Sequence, residues 1–90
     1  MIFDDKNFAI ALGKRLKERR GEKFTLDQLI SEARLSISRS SLSAIENGNQ
    51  DISARDLYAI SIVLDFTLND FMNDVVTDLL GKKFSLNLDR

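Results

Sequence analysis

SISRSSLSAIENGNQDIS, residues 36–53, decides the fold because a serine-rich composition is combined with the spacing of a helix. Six of its eighteen residues are serine, and only three side chains are charged. Ser38 is a favourable N-cap, Leu42 and Ile45 recur at helical spacing, and Gly48 allows a left-handed exit. The stretch therefore predicts a short helix that buries one narrow edge and keeps its other edge small and hydrogen-bonding.

The composition restricts the class of protein. Ninety residues are enough for one small domain, and 43% hydrophobic with 30% charged residues is typical of a globular chain. The chain has no cysteine and no histidine, so thiolate metal sites are excluded and the usual general base is missing. We find no calcium-type acidic loop and no phosphate-cradling glycine motif. The sequence indicates no cofactor, no metal and no enzyme, and no apolar run is long enough to span a membrane.

The charges are unevenly distributed. The net charge is -1, which by itself argues against a nucleic-acid-binding protein. Between residues 14 and 39, however, eight basic side chains face four acidic ones, whereas residues 40–80 carry one basic and seven acidic side chains. This distribution favours a two-sided molecule, although two solvated faces would explain it equally well.

Hydrophobic spacing predicts four further helices in one compact all-α bundle. Thr25 and Gln28 form a capping box at the second helix, and Ser53 and Thr67 are N-caps of the fourth and fifth. The predicted helices span residues 7–20, 25–34, 54–64 and 69–80. We assign residues 1–80 to a single domain with a helix-turn-helix at 25–47, and residues 81–90 to a tail.

The tail, KKFSLNLDR, alternates apolar and polar residues, which is the period of a strand. A lone strand in a helical chain needs a partner, so we expect it to pair with the same strand of a second subunit. The alternative is a frayed tail lying on the core. The expected dimer interface combines the fifth helix and the tail: Phe71, Val75, Val76, Leu79, Phe84 and Leu86.

The outward edge of the short helix carries Arg39, Ser40, Ser43 and Ala44. Small residues allow close approach to another surface, and arginine can bond guanine O6 and N7 at two points. Serine can bond either kind of base, and the alanine methyl can contact the thymine methyl. These properties match a helix that inserts into the major groove of DNA.

Four motifs, LGKRLKERR, TLDQLISEA, SRSSLSAIENG and DLYAISIVLDFTLNDFM, occur in this order. Together they resemble the lambda-repressor-like helix-turn-helix family, also called the XRE family, over about residues 8–72. The resemblance implies a five-helix DNA-binding domain. It also implies that Ser38 caps the recognition helix and that Glu46 pairs with an arginine late in the first helix, Arg20 or alternatively Arg19.

The resemblance further implies which side chains meet DNA. Bases would be contacted by Arg39, Ser40, Ser43 and Ala44, with Ser41 or Ser43 reaching either bases or phosphate. The DNA backbone would be held by Thr25, Arg34, Ser38, Ser41, Asn47, Asn49 and Gln50.

Three positions depart from the family pattern. Leu26 stands where a phosphate-binding glutamine is usual, so one contact is lost. Arg34 stands where a turn glycine is usual, in a turn about two residues longer, and is either a new phosphate ligand or part of a remodelled turn. Ile52 replaces a common proline.

The sequence therefore predicts a cytoplasmic transcriptional regulator, a repressor that binds double-stranded DNA as a homodimer at an inverted repeat. One alternative is an antitoxin of the same fold that binds a toxin through its acidic helices or tail. Phage repressors and restriction-modification controllers are further members that the sequence does not separate. The alternative from another class is a protein-interaction module that has lost DNA binding, favoured by Leu26 and the negative net charge.

Overall fold

The computed structural model describes residues 4–88 of the chain, with side chains described as far as residue 81. Five helices follow one another, which confirms the all-α prediction: α1 Asp5–Arg20, α2 Leu26–Ala33, α3 Arg39–Glu46, α4 Ala54–Leu64 and α5 Leu68–Leu88. No strand is present in the described range.

Local hydrogen bonds set the helix boundaries where the sequence places caps. The side chain of Asp4 accepts from the backbone N–H of Asn7 at 2.8 Å, so α1 begins two residues earlier than predicted. Gly21 ends α1 with φ 51°, and its N–H donates to the carbonyl of Lys17. Ser53 and Thr67 each accept from the N–H three residues later, at 3.1 Å, as N-caps do.

The hydrophobic core is formed by buried residues from all five helices. α1 packs against α3 and α5, while α2 packs against α3 and α4. The ring of Phe66, in the connection after α4, stacks on Phe71 with centroids 4.9 Å apart, and the guanidinium of Arg19 lies 5.1 Å from the Phe66 centroid. The largest fully buried side chains are Leu16, Leu29, Leu42, Ile45, Ile60, Phe71 and Val75.

Ion pairs join α5 to α1. Nε and Nη2 of Arg15 donate to the two carboxylate oxygens of Asp78 at 2.6 and 2.7 Å, and Arg19 donates to Asp74 at 3.2 Å. The hydrogen bond from Arg15 to Asp78 raises the pKa of the guanidinium above its usual value. The uneven charge distribution is therefore partly neutralised inside the molecule, because acidic residues of α5 face arginines of α1.

Three residues of the predicted dimer interface are buried within the chain itself. Phe71, Val75 and Leu79 are 0%, 0% and 6% exposed, because they form the face of α5 that covers the chain's own core. Val76 is half-buried, and the side chains of Phe84 and Leu86 lie outside the described residues.

The C-terminal segment is helical in this structure of the single chain. α5 continues to Leu88, through Gly81 and the stretch where period-two alternation predicts a strand. A strand must borrow its hydrogen bonds from a neighbour, whereas a helix satisfies its own backbone groups. A single glycine costs a helix only about 1 kcal/mol, so Gly81 does not have to end it.

Candidate DNA-binding surface

The start of α2 forms the predicted capping box. The N–H of Gln28 donates to Oγ1 of Thr25 at 3.1 Å, and the N–H of Thr25 donates to Oε1 of Gln28 at 2.8 Å. Thr25 and Gln28 are exposed, whereas Leu26 is half-buried and packs against the core. Leu26 therefore acts as a core residue at the position where relatives would present a polar donor.

The turn between α2 and α3 depends on a left-handed arginine. Arg34 has φ 54° and ψ 48°, and its N–H donates to the carbonyls of Ile30 and Ser31. The N–H of Leu35 also donates to Ile30, at 3.0 Å, and the Leu35 side chain is buried. This reversal directs the Arg34 side chain into solvent, and within residues 4–81 no ion pair or hydrogen bond engages its guanidinium.

α3 begins at a serine cap and presents a polar edge. Ser38 is extended, with φ -80° and ψ 166°, and its Oγ accepts from the N–H of Ser41 at 3.1 Å. The side chains of Arg39 and Ser40 that follow are exposed. The opposite edge of the helix is anchored by Leu42, which is 0% exposed.

α3 is held against α1 at unusually close range. A Cβ added to Gly13 would lie 2.7 Å from the carbonyl oxygen of Glu46 and would also collide with the carbonyl of Ile45. Only glycine allows the two backbones to approach this closely. Close packing against α1 therefore fixes the position of α3, the helix that bears Arg39.

A two-point ion pair secures the end of α3. Nε and Nη2 of Arg20 donate to the two oxygens of Glu46 at 2.7 and 2.8 Å, and Nη1 donates to the carbonyl of Phe24 at 2.9 Å. The Glu46 side chain is 4% exposed and that of Arg20 is 14% exposed. The hydrogen bond to Glu46 raises the pKa of Arg20 above its usual value. The predicted pair is present with Arg20, while Arg19 pairs with Asp74.

The loop after α3 is folded back on the start of α1. Gly48 has φ 78°, and a Cβ there would lie 2.8 Å from the Cα of Ile10. The N–H of Asn49 donates to the carbonyl of Ala44 at 2.8 Å, while Nζ of Lys6 donates to Oδ1 of Asn49 at 3.3 Å. The loop thus presents exposed amide side chains beside a lysine of α1.

The geometry described so far is a helix-turn-helix unit, and comparisons with known proteins agree. A family model described as a helix-turn-helix domain matches residues 13–75. The control protein C.MunI from a Mycoplasma species is 36% identical over 66 residues, which cover 73% of this chain and 89% of that protein. The chain belongs to the XRE-type helix-turn-helix family. It is accordingly a DNA-binding regulator of the helix-turn-helix class, and no solved structure matches it significantly.

The XRE-type fold brings most of the predicted DNA-contacting residues to exposed positions. Ser41, Ser43 and Ala44 are half-buried, so they lie deeper on α3 than Arg39 and Ser40. The exposed members of the predicted set are Thr25, Arg34, Ser38, Arg39, Ser40, Asn47, Asn49 and Gln50.

One residue of this surface was missed by sequence reasoning. Lys6 reaches Asn49 across 43 positions of sequence, and no short-range pattern indicates such a contact. In the sequence, a lysine beside acidic residues in the first turn of a helix does not indicate a binding role. The contact forms because the loop after α3 folds against α1. Lys6 therefore belongs with the candidate surface because of tertiary structure alone.

The described part of the chain contains no group of side chains arranged to hold a metal ion. No helix within it is both long enough and apolar enough to cross a membrane.

Proposed function

We propose that the chain is a sequence-specific transcriptional repressor that acts in the cytoplasm and binds an inverted-repeat operator as a homodimer. The observation that carries this proposal is the pairing of an exposed edge of α3, at Arg39 and Ser40, with a firmly anchored opposite edge. A helix that enters a groove must be held rigidly by its own domain, because a loose helix loses binding free energy to ordering. The Arg20–Glu46 pair supplies that anchor at the end of α3.

In this proposal the side chains of α3 read bases. Arg39 bonds a guanine at two points, Ser40 bonds a neighbouring base edge, and the half-buried Ser43 and Ala44 line the deeper part of the contact. Within α3 only Arg39 and Ser40 are exposed, so they carry most of the base discrimination.

Residues around α3 hold the DNA backbone. Arg34 lies in the turn before α3, and Asn49 and Gln50 lie in the loop after it. In this proposal the two ends of α3 therefore contact phosphates on opposite sides of the groove. Ser38, Ser41, Thr25 and Asn47 supply hydroxyl and amide contacts, and Lys6 adds a positive charge through its bond to Asn49. Arg34 and Arg39 have no described ion-pair partner, unlike Arg15, Arg19 and Arg20. Their charges are therefore free to neutralise phosphate.

Two half-sites related by a two-fold axis would lie ~34 Å apart in such a complex. The likeness to a protein named a control protein favours a regulator over an antitoxin. The core role of Leu26 and the negative net charge favour the alternative of a protein-interaction module without DNA binding.

Selection of bound fragments from random DNA at physiological salt tests the proposal. We expect enrichment of an inverted repeat, followed by a saturable band shift on that fragment with two copies of the chain. Recovery of no sequence preference, with weak binding that a nonspecific competitor removes, would instead support the protein-interaction module.

A further inference from the structure

An exposed apolar pair lies on α4, outside the surface described above. Tyr58 and Ile62 are 58% and 63% exposed, and with Ile10 they are the large hydrophobic side chains most open to solvent in the described part of the chain. They are four residues apart, so they lie on the same stripe of the helix. Single exposed hydrophobic residues are common in proteins. This pair indicates an interaction surface because charged residues flank it.

Two opposite charges bracket the apolar pair. The Arg55 side chain, at the start of α4, is 74% exposed, and Asp65, which caps the end of α4, is exposed as well. At 3.6 residues per turn the positions 55, 58 and 62 fall within about 60° of one another around the helix axis, and Asp65 follows as the left-handed C-cap of the same helix. The buried residues of α4 point the other way: Leu57, Ile60 and Leu64.

This stripe is complementary to itself. Its centre lies at position 60, and Arg55 and Asp65 are each about 7.5 Å from that centre along the helix axis. If two copies of α4 pack antiparallel about a two-fold axis through this centre, Arg55 faces Asp65 of the partner subunit and Tyr58 faces Ile62 of the partner subunit. A parallel arrangement would place like charges opposite each other, so the pattern selects the antiparallel one.

We propose that this face of α4, which we call the α4 stripe, is the surface through which two copies of the chain associate. A closed two-fold interface uses the same patch on both subunits and requires that patch to be its own complement, as the α4 stripe is. The stripe shares no residue with the candidate DNA-binding surface. It replaces the α5 residues Phe71, Val75 and Leu79, which are buried within the chain.

The inference deepens the homodimer of the proposed function, and charge reversal tests it without DNA. Sedimentation equilibrium of the full chain is measured for the native protein, for Arg55→Asp, for Asp65→Arg and for the double variant. Each single reversal puts like charges in contact and should weaken the dimer about tenfold or more, whereas the double reversal restores opposite charges. Arginine at position 65 can adopt the left-handed conformation required there, since Arg34 does so in this same chain.

Matched controls carry the same charge changes in the exposed turn after α1, as Glu22→Arg and Lys23→Asp, and should leave the dimer intact. Arg55 contacts the buried carboxylate of Asp56 at 3.4 Å, so circular dichroism checks that Arg55→Asp folds. Ile62→Asp, which leaves that contact untouched, should also yield monomers. A monomeric native chain, a dimer unaffected by Asp65→Arg and Ile62→Asp, or a folded double variant without recovery would each overturn the inference. Native-like DNA binding as a pair by the Ile62→Asp variant would overturn the α4 stripe alone, and the proposed function would stand.

Discussion

Arg20 and Glu46, 26 positions apart, bind each other at two points and join the end of α1 to the end of α3. The contact is almost fully withdrawn from solvent on the Glu46 side. It connects α3 to α1, and α1 is in turn joined to α5 through the pair of Arg15 and Asp78. The orientation of α3 is therefore determined by a polar contact in addition to hydrophobic packing.

Glu46→Ala should destabilise the fold by about 3–5 kcal/mol, because it leaves the mostly buried Arg20 without its charged partner. Chemical denaturation monitored by circular dichroism measures the loss. Replacing both residues, as Arg20→Met with Glu46→Leu, should restore much of the stability, since no charge is then buried alone. Asp78→Ala is the matched control: its pair with Arg15 is more exposed and should cost about 1 kcal/mol. Equal losses for Glu46→Ala and Asp78→Ala would contradict the anchoring role.

Gly13→Ala should destabilise the chain by about 1–3 kcal/mol, because the added methyl group meets the carbonyls of Ile45 and Glu46. In an exposed helix the same substitution would be stabilising by about 1 kcal/mol, so the sign of the change is diagnostic. Gly81→Ala, in α5 with open space around it, provides that comparison. Thermal melts of both variants measure the difference, and a stabilised Gly13→Ala would show that α1 and α3 are farther apart than described.

Arg34→Gly should have two opposite effects. Glycine accepts the left-handed conformation that costs other residues about 1–2 kcal/mol, so the variant should be modestly more stable. Loss of the guanidinium should lower the slope of log affinity against log salt by about one per subunit, and so by about two for the dimer. Arg34→Gln removes the same charge and keeps a side chain in the strained turn, so it should show the change in salt slope without the gain in stability. An unaltered salt slope in both variants would remove Arg34 from the DNA-backbone contacts.

Arg39→Ala should abolish preference at one base pair of each half-site, a loss of roughly 1–3 kcal/mol in discrimination. Arg39→Lys keeps the charge but not the planar fork, so it should retain overall affinity better than it retains base preference. Footprint titrations on operators altered one base pair at a time separate the two effects. Lys14→Ala, at an exposed position of α1, is the charge-loss control. Retained preference in Arg39→Ala would assign Arg39 to phosphate or to solvent.

Local sequence signals determined most of the fold. Capping serines and threonines, short apolar stripes and isolated glycines fix helix starts and stops through nearby hydrogen bonds, and Ser38 and Thr25 were identified in this way. The Arg20–Glu46 pair could be predicted from the resemblance to a known family, but not from the spacing of the two residues in the sequence. Contacts between segments far apart in the sequence could not be predicted from local patterns, as the Lys6–Asn49 hydrogen bond shows.

The C-terminal region shows why the remainder could not be predicted. The apolar stripe of α5 indicates that Phe71 and Val75 are buried, but the pattern does not say whether the covering surface belongs to the same chain or to a second one. In the structure α1 provides the cover. The alternation after Gly81 likewise describes which residues share a face of a strand, and a strand forms only when a partner is present.

Directed cleavage of DNA from α3 tests the central claim most directly. The chain has no cysteine, so Ser40→Cys creates a single attachment point for an iron chelate that cleaves nearby DNA strands. We expect two clusters of cuts placed symmetrically about the operator centre, ~34 Å or one helical turn apart, and none from the same chelate at Asn73→Cys on α5. Cuts from position 73 but not from position 40 of the bound protein would show that α3 does not enter the groove.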